Sequence, residues 1–135
     1  MAHRFSLRVY YSDTDAGGIV YHARYLDFAE HARTELLRQI SHDRPGQADM
    51  MRERRVGYVV KSLSVEYHVP AFLDDELEVH TSVESAKRFS VTFLQRVMRA
   101  EAEVATLRVR VAAVDLVTLR HIAFEPWFAE AAGRL

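Results

Sequence analysis

A short segment that carries two carboxylates and two glycines is the part of this sequence best suited to chemistry. Asp13 and Asp15 precede Gly17 and Gly18, and His22 follows four residues after the second glycine. Paired glycines favour an irregular backbone, so the two acids lie in a predicted loop. A carboxylate held in such a loop can serve as a general base or as a nucleophile when a polarised carbonyl is placed opposite it.

The residues that follow this loop begin a predicted helix that has no conventional N-cap. Residues 16–26 contain no Ser, Thr, Asp or Asn, so several backbone N–H groups there have no side-chain acceptor nearby. With the positive end of the helix dipole, such groups can polarise a carbonyl or hold an oxyanion. Because Asp15 stands seven residues before His22, the arrangement predicts acyl-transfer hydrolysis. A second interpretation stays open, in which Asp13 and Asp15 only form hydrogen bonds that shape the glycine turn.

Other chemistries fit the segment poorly. In a calcium loop that starts at Asp13, Gly17 would stand at the third ligand position and Arg24 at the twelfth, where Glu is required. His22 and His31 are nine residues apart and point to different helix faces, and no HExxH motif occurs, so we predict no metal site. The chain has no Cys and no GxSxG motif, which excludes thiolate catalysis and a serine-hydrolase elbow. We expect no cofactor.

Hydrophobic periodicity predicts the elements that position this segment. Residues 5–11 have apolar side chains at odd positions, which is the two-residue period of a half-buried strand. From about residue 22 to residue 40, apolar side chains recur every three or four residues, which indicates an amphipathic helix. At 1.5 Å per residue this helix would be about 28 Å long, enough for the central rod of a small domain.

Four later segments return to alternation, each with apolar residues favoured at odd positions, and predict the sheet that covers the helix. They span residues 59–69, 77–83, 89–97 and 107–113. Short polar or Pro-bearing breaks between them suit the hairpins of an antiparallel meander. We also predict a short helix over residues 47–54 within the connection 41–55, and a helical turn over residues 126–132. The order predicts an α+β fold in which one antiparallel sheet of about five strands wraps around one long central helix.

The composition describes an ordinary globular chain and excludes several function classes. The 135 residues include 18 Lys+Arg and 19 Asp+Glu, so the chain lacks the basic excess expected of a nucleic-acid-binding protein. The longest stretch without a charged residue is 16–23, whereas a membrane-spanning helix needs about 20 apolar residues. No secretory signal is evident at the start. We expect one domain over residues 1–135, no transmembrane segment, no nucleic acid partner and a cytoplasmic location.

The acidic loop and the helix carry a resemblance to a known family. Residues 13–22 read Asp-Thr-Asp-Ala-Gly-Gly-Ile-Val-Tyr-His. Further matching positions are Tyr25, Phe28, Glu30, Ala32-Arg33-Thr34-Glu35, Val65-Glu66-Tyr67, Pro70-Ala71, Leu73-Asp74-Asp75 and Gln95-Arg96. With these residues the chain resembles the YbgC-type acyl-CoA thioesterases, in the 4-hydroxybenzoyl-CoA thioesterase-like branch of the hotdog superfamily. The resemblance extends from about residue 7 to residue 115, and the stretch 117–124 departs from it by lacking prolines.

The resemblance implies a hotdog fold, an acyl-CoA substrate and an assembly of at least two subunits with sites at the dimer interface. A homodimer and a homotetramer built as a dimer of dimers are both usual for the family. The essential carboxylate of the family falls on Asp15, with Asp13 the less favoured candidate, and the carbonyl-polarising backbone N–H falls on His22. Asp15 then acts as general base or nucleophile, while the His22 side chain has either a catalytic or a packing role.

Substrate contacts are expected from three parts of the chain. Gly18, Tyr21 and Tyr25 lie near the predicted catalytic loop. Because coenzyme A carries phosphates, Lys87 and Arg88 beside Ser90 are the expected basic contacts at the site mouth. Lys61 is a weaker basic candidate, and the candidates for the acyl pocket are Phe28, Tyr58, Val59 and Leu63.

Two alternatives belong to other function classes. In the first, the same groove holds an acyl chain or an acyl carrier protein without catalysis, as a binding module associated with the Tol-Pal envelope system or with phospholipid synthesis machinery. In the second, the chain is a hotdog dehydratase that acts on hydroxyacyl thioesters. The Asp-centred motif favours the hydrolase over both.

Overall fold

The long helix predicted between the first strand and the later strands is present as α1, Arg24–Ser41. The structure is a computed structural model that describes residues 2–41 and 46–135. The buried apolar side chains of α1 are Tyr25, Phe28, Ala29, Ala32 and Leu36. Their spacing of three and four residues confirms the predicted apolar stripe, although α1 begins two residues later than predicted.

Six antiparallel strands form the sheet. They are β1 (His3–Arg8), β2 (Val56–Tyr67), β3 (Glu76–Ala86), β4 (Val91–Arg99), β5 (Ala102–Asp115) and β6 (His121–Ile122). The five predicted strands are all present, and β6 is additional, because two residues are too few to show alternation. The first strand ends before Tyr11, which belongs to a 3₁₀ turn, Tyr11–Asp13.

The strand order differs from the predicted meander. The order is β1-β3-β4-β5-β2, and β6 pairs with β5. β3, β4 and β5 form the expected hairpins, but β2 pairs with β5 instead of with β3. The prediction of a four-stranded meander was wrong here, because residues 68–75 carry the chain from one side of the sheet to the other and do not form a tight turn.

One face of the sheet packs on α1 and the other faces solvent. On β5, Leu107 and Val109 are buried in the core, whereas Arg108 and Arg110 are exposed. The same alternation places apolar odd-numbered residues of β3 and β4 in the core, namely Leu77, Val79, Val91, Phe93 and Val97. This confirms the predicted wet face and gives the α+β arrangement of a sheet wrapped around one helix.

Two short helical segments complete the fold. The predicted helix over 47–54 is present as α2, Gln47–Asp49, followed by one π-helical turn, Met50–Arg54. The C-terminal helix α3, Pro126–Ala132, also matches its prediction and buries Phe128 against the core. Residues 42–45 of the predicted connection lie outside the described residues. Over the two described ranges, no helix is long and apolar enough to cross a membrane.

Candidate active site

The acidic loop forms a small hairpin that presents Asp15. Thr14 and Val20 form an antiparallel bridge at its base. The Asp15 N–H donates to the Ile19 carbonyl at 2.9 Å, and the Gly18 N–H donates to the Asp15 carbonyl at 3.0 Å. Gly18 has a φ of 81°, in the left-handed region that favours glycine. The glycine at this position therefore lets the chain turn three residues after the acid.

The Asp15 carboxylate is partly engaged by its own loop. Its Oδ1 accepts a hydrogen bond from the Gly17 N–H at 2.8 Å, as the turn-shaping interpretation predicted. Its Oδ2 has no hydrogen-bond partner within residues 2–41 and 46–135, and the side chain is exposed. One oxygen therefore fixes the orientation of the carboxylate, while the other is available to a water or a substrate.

Asp13 has structural partners on both oxygens. Its Oδ2 accepts a hydrogen bond from the Tyr10 N–H at 2.8 Å, and its Oδ1 lies 3.0 Å from Arg24 Nε. Its carbonyl accepts a hydrogen bond from the Tyr21 N–H at 2.9 Å. Asp13 therefore ties the loop to the first residue of α1, and neither of its oxygens is left for chemistry.

A clamp at residues 70–75 holds the hairpin in place. The Val20 N–H donates to the Ala71 carbonyl at 2.9 Å, and Ile19 bridges to Phe72. Asp75 Oδ2 in turn accepts hydrogen bonds from the Phe72 N–H at 2.8 Å and from Arg99 at 2.8 Å.

The charge state of Asp75 supports this clamp. Burial alone would raise the pKa of the Asp75 carboxyl, but the hydrogen bonds from the Phe72 N–H and the Arg99 guanidinium lower that pKa below its usual value. Arg99 also donates to the Pro70 carbonyl at 3.0 Å. Ionised Asp75 therefore stabilises the conformation in which residues 70–75 contact the catalytic loop.

The start of α1 offers free backbone donors. A turn closed by the Arg24 N–H and the Tyr21 carbonyl, at 2.8 Å, leads into the helix. Over the part of the chain that the structure describes, no hydrogen bond uses the N–H of His22 or of Ala23. The Tyr67 hydroxyl donates to the His22 carbonyl at 2.7 Å. The His22 carbonyl is thus held by Tyr67, while the N–H groups of His22 and Ala23 are available to an acceptor.

Asp15 and His22 line the same cleft, which has a volume of about 420 Å³. Its other walls are Ile19, Val20, Tyr25, Tyr67, His68, Val69 and Pro70. An exposed carboxylate thus shares one mostly apolar cleft with unpaired N–H groups at the positive end of a helix. This arrangement can activate a water or attack a carbonyl while the N–H groups stabilise the oxyanion that forms.

Two tyrosines form the aromatic wall of the cleft. The rings of Tyr25 and Tyr67 meet edge to face with centroids 5.6 Å apart. Burial raises the pKa of both hydroxyls, although the backbone of Ala71 partly opposes this for Tyr25. Both hydroxyls stay protonated at neutral pH, and that of Tyr67 donates to the His22 carbonyl.

The structure brings some of the predicted site residues together and leaves others apart. Asp15, His22 and Tyr25 line the cleft, and Gly18 and Tyr21 adjoin it on the hairpin and at the helix start. In contrast, the predicted basic contacts lie in the β3–β4 turn, where the Lys87 N–H donates to the Ser90 carbonyl at 2.8 Å and Arg88 lies over the Phe89 ring.

This turn is remote from the cleft of the same chain. The cleft adjoins Ala105 of β5, which pairs with Tyr67, whereas the turn adjoins Val111, which pairs with Val91. The two points are six residues of strand apart, or about 20 Å.

The other candidate positions are also dispersed. Phe28 is buried in the core, and Leu63 is exposed on β2. Tyr58 and Val59 line a second cavity, away from Asp15. Lys61 stands at a β-bulge in β2 beside His121.

Six cleft residues were not among the predicted site residues, namely Ile19 and Val20 on the hairpin and Tyr67, His68, Val69 and Pro70 at and after the end of β2. Tyr67 ends β2, and the N–H of His68 still donates to the Val104 carbonyl of β5 at 2.8 Å. An aromatic residue and a proline at the end of an alternating segment were the available signal.

Over the described ranges, no group of three His, Cys, Asp or Glu side chains could hold a metal ion.

Comparisons with known proteins show which family the chain resembles. Residues 9–132 match the family described as the thioesterase-like superfamily. The chain is 47% identical over 120 residues to the acyl-CoA thioesterase YbgC of Haemophilus influenzae, with 89% of this chain and 86% of the relative covered. It is 51% identical over 98 residues to the acyl-CoA thioester hydrolase YbgC of Escherichia coli, with 73% and 70% covered. The crystal structure of a probable thioesterase from Bartonella henselae aligns with a TM-score of 0.86 and 26% identity, over 93% of this chain and 100% of that one.

Proposed function

This chain belongs to the thioesterase-like superfamily and is of the YbgC type, and from that premise we propose that it hydrolyses acyl-CoA thioesters in the Asp15 cleft. Membership confirms the predicted hotdog fold and the predicted class of enzyme, a thioesterase. The observation that carries the proposal is the shared cleft of Asp15 and the free N–H groups at the start of α1. These are the two parts that hydrolysis of a thioester requires.

In the proposed mechanism the thioester carbonyl oxygen accepts a hydrogen bond from the His22 N–H. The partial positive charge at the start of α1 then stabilises the oxyanion as the carbonyl carbon becomes tetrahedral. When the intermediate collapses, the C–S bond breaks and coenzyme A leaves as a thiolate. Because a thiolate is a good leaving group, this reaction needs little help from a general acid. One oriented carboxylate and one set of backbone donors therefore suffice.

Asp15 has two chemically balanced roles. As general base, Asp15 Oδ2 takes a proton from a water whose oxygen attacks the carbonyl carbon. As nucleophile, the same oxygen attacks the carbonyl carbon itself, the thiolate leaves, and water then hydrolyses the resulting anhydride. Rapid quenching followed by mass spectrometry would detect an acylated Asp15 peptide only on the second route.

The first test compares thiol release by the wild type and by Asp15→Asn on a panel of acyl-CoAs from acetyl to palmitoyl, with benzoyl and 4-hydroxybenzoyl included. We expect turnover on some members to fall at least ~100-fold in the variant, equivalent to about 2.7 kcal/mol of transition-state stabilisation. Asp13→Asn is the matched control, since it changes the same loop without touching the cleft. A folded Asp15→Asn protein with the full rate would contradict the catalytic role of Asp15. Slow rates that are equal in the wild type and Asp15→Asn would favour the non-catalytic binding module.

We further propose that two copies of the chain pair through β2. This strand is an edge of the described sheet, and its exposed apolar side chains include Val60 and Leu63, which are 46% and 42% exposed. An exposed apolar edge strand is a template for pairing with another strand. Antiparallel pairing of two β2 strands would bring the Tyr58 end of one copy, with its β3–β4 turn, towards the Asp15 cleft of the other. In that arrangement Lys87 and Arg88 would be the basic contacts at the mouth of the neighbouring subunit's cleft.

An acyl carrier protein as alternative carrier, a dimer of such dimers, a cytoplasmic location and one domain over residues 1–135 stay predictions. The acyl-CoA panel ranks the acyl preference, and the same assay with acyl-carrier-protein thioesters tests the carrier.

A further inference from the structure

Lys61 and His121 form a close pair of a nucleophile and a base outside the Asp15 cleft. The Nζ atom of Lys61 lies 3.1 Å from Nε2 of His121, and both residues are exposed. A nucleophile and a base within hydrogen-bond reach of each other are the structural signature of an activated nucleophile. The pair is therefore a candidate for covalent chemistry on the surface of the protein.

The backbone of the sheet brings the two side chains together. The register of β2 with β5 shifts between Val60 and Ser62, so Lys61 is an extra residue in a β-bulge and has no partner on β5. His121 begins β6, which pairs with the other end of β5. A bulge redirects a side chain out of the regular alternation of a strand, and here it allows Lys61 to reach β6.

The contact determines where the protons are. An ammonium group has donors and no acceptor, so Nε2 of His121 must accept the hydrogen bond from Lys61. The imidazole is therefore neutral, with its proton on Nδ1, which is the form that can act as a base. Within residues 2–41 and 46–135, no carboxylate oxygen lies within 4.0 Å of Lys61 Nζ, so no acid holds this amine in an ion pair.

We propose that Lys61 is a site of self-acylation, at which the protein transfers the acyl group of an acyl-CoA thioester to its own lysine. The choice of this donor rests on the proposed function, whereas the chemistry of Lys61 and His121 does not use Asp15.

The steps of the transfer balance as follows. The Lys61 ammonium releases one proton to solvent through His121. Its nitrogen then attacks the carbonyl carbon of the thioester while His121 Nε2 takes a second proton. The C–S bond breaks, and the departing thiolate takes that second proton from His121. The products are an acyl-lysine amide, the thiol of coenzyme A and one free proton.

Two arginines near the pair can attract the phosphates of the donor. Arg110 stands opposite Ser62, next to the bulge, and Arg120 precedes His121 in the chain. Both arginines are exposed, and over the two described ranges neither forms an ion pair. A guanidinium binds phosphate through parallel charge-assisted hydrogen bonds. The anionic coenzyme A portion of the donor is therefore drawn to the surroundings of Lys61.

Site-resolved mass spectrometry of the full chain during incubation with acetyl-CoA tests the proposal. Lys61 and Lys87 are the only lysines in the sequence, and both are exposed, so Lys87 is an internal reference. We expect Lys61 to be acetylated at least about tenfold faster than Lys87, and His121→Gln to abolish that difference. His31→Gln is the matched control, because His31 is exposed on α1 and lies beside Glu30 instead of a lysine. Equal rates at Lys61 and Lys87 overturn the proposal, and so does an unchanged Lys61 rate in His121→Gln.

Two further measurements test the premises. Nitrogen-15 NMR of the His121 ring should show the proton on Nδ1, and a neutral ring protonated on Nε2 contradicts the role of His121 as base. Arg110→Gln should slow acetylation of Lys61 by acetyl-CoA at least about threefold, but not acetylation by the acetyl thioester of N-acetylcysteamine, which has no phosphate. An equal effect on both donors overturns the role of Arg110.

The Asp15→Asn protein separates self-acylation from hydrolysis of the donor. We expect its initial rate of Lys61 acetylation to equal that of the wild type, because Asp15 takes no part in the transfer. A Lys61 rate that falls in Asp15→Asn as far as thiol release does would overturn the independence of the two reactions. Hydrolysis without preference for Lys61 contradicts self-acylation alone, and preference for Lys61 without hydrolysis contradicts the proposed thioesterase reaction alone.

Discussion

Asp13 and Asp15 lie two residues apart in one loop but have different hydrogen-bond partners. Asp13 is used by Arg24 and by the Tyr10 N–H, and its side chain is only 13% exposed. In Asp15, Oδ1 accepts a hydrogen bond from the Gly17 N–H, and Oδ2 is exposed to the cleft. A carboxylate that is both oriented and unsatisfied is a candidate for chemistry, whereas a fully paired one stabilises the fold.

Asp13→Asn should therefore affect stability more than catalysis. The change removes the ion pair with Arg24 and weakens the hydrogen bond from the Tyr10 N–H, so we expect a loss of about 1–3 kcal/mol in the free energy of unfolding. We expect kcat to fall less than about tenfold, since the Asp15 carboxylate is unchanged. Urea denaturation and thiol release on the same preparation measure the two effects. If Asp13→Asn lost as much activity as Asp15→Asn while remaining as stable as the wild type, the assignment of roles would be reversed.

At the scale of elements, the segment that connects β2 to β3 supports the catalytic loop. It contacts the loop through the Ala71 carbonyl and Phe72, and its own shape depends on Asp75 and Arg99. The Asp75 side chain is 24% exposed and that of Arg99 33% exposed, so the pair is partly shielded from solvent. Asp75 is a positioning residue, because it acts on Asp15 only through the backbone.

The lowered pKa of Asp75 predicts a pH-dependent contribution to stability. Since the folded pKa lies below the usual 3.8, ionised Asp75 stabilises the fold above that pH, and this contribution is lost as the pH falls through the folded pKa. Asp75→Asn should cost about 1–3 kcal/mol at pH 7. The difference in unfolding free energy between variant and wild type should shrink as the pH falls below 3.8.

Urea denaturation of both proteins across that pH range makes the measurement. Asp74→Asn serves as the control, because Asp74 neighbours Asp75 and its side chain takes part in no hydrogen bond or ion pair of the described residues. A difference that stays constant down to the lowest pH would show that Asp75 acts through packing and not through its charge.

The elements that the sequence predicted well are those set by local patterns. The period of α1 and the alternation of β3, β4 and β5 depend on neighbouring residues, and so does the turn at Gly18, three residues after Asp15. The place of β2 beside β5 depends on contacts more than forty residues apart in the chain, such as Val65 with Leu107. Tyr67 and Pro70 reach the cleft through that same long-range pairing, so the local signal of an aromatic residue and a proline at a strand end could not place them beside Asp15.

At the scale of the whole molecule, the unpaired side of edge strand β2 is the feature most relevant to association with a second copy. β2 has twelve residues, and the sheet order leaves one of its sides without a partner strand in the described residues. The cleft lies at one end of this edge, since Tyr67 is both the last residue of β2 and part of the cleft wall. Any strand that pairs with β2 therefore contacts the surroundings of the site.

Leu63→Lys tests whether a second copy is that partner. Leu63 is 42% exposed on β2, so a lysine there is tolerated by the single chain but places a charge in an apolar interface. We expect association to weaken at least about tenfold and turnover to fall in proportion to the dissociated fraction. Sedimentation velocity distinguishes the 15.6 kDa monomer from its multiples, and thiol release at the same protein concentrations gives the activity. Val117→Lys is the control, since Val117 is 70% exposed in the turn after β5. An unchanged assembly in Leu63→Lys would exclude pairing through β2, whereas a fully active monomer would show that each cleft is complete within one chain.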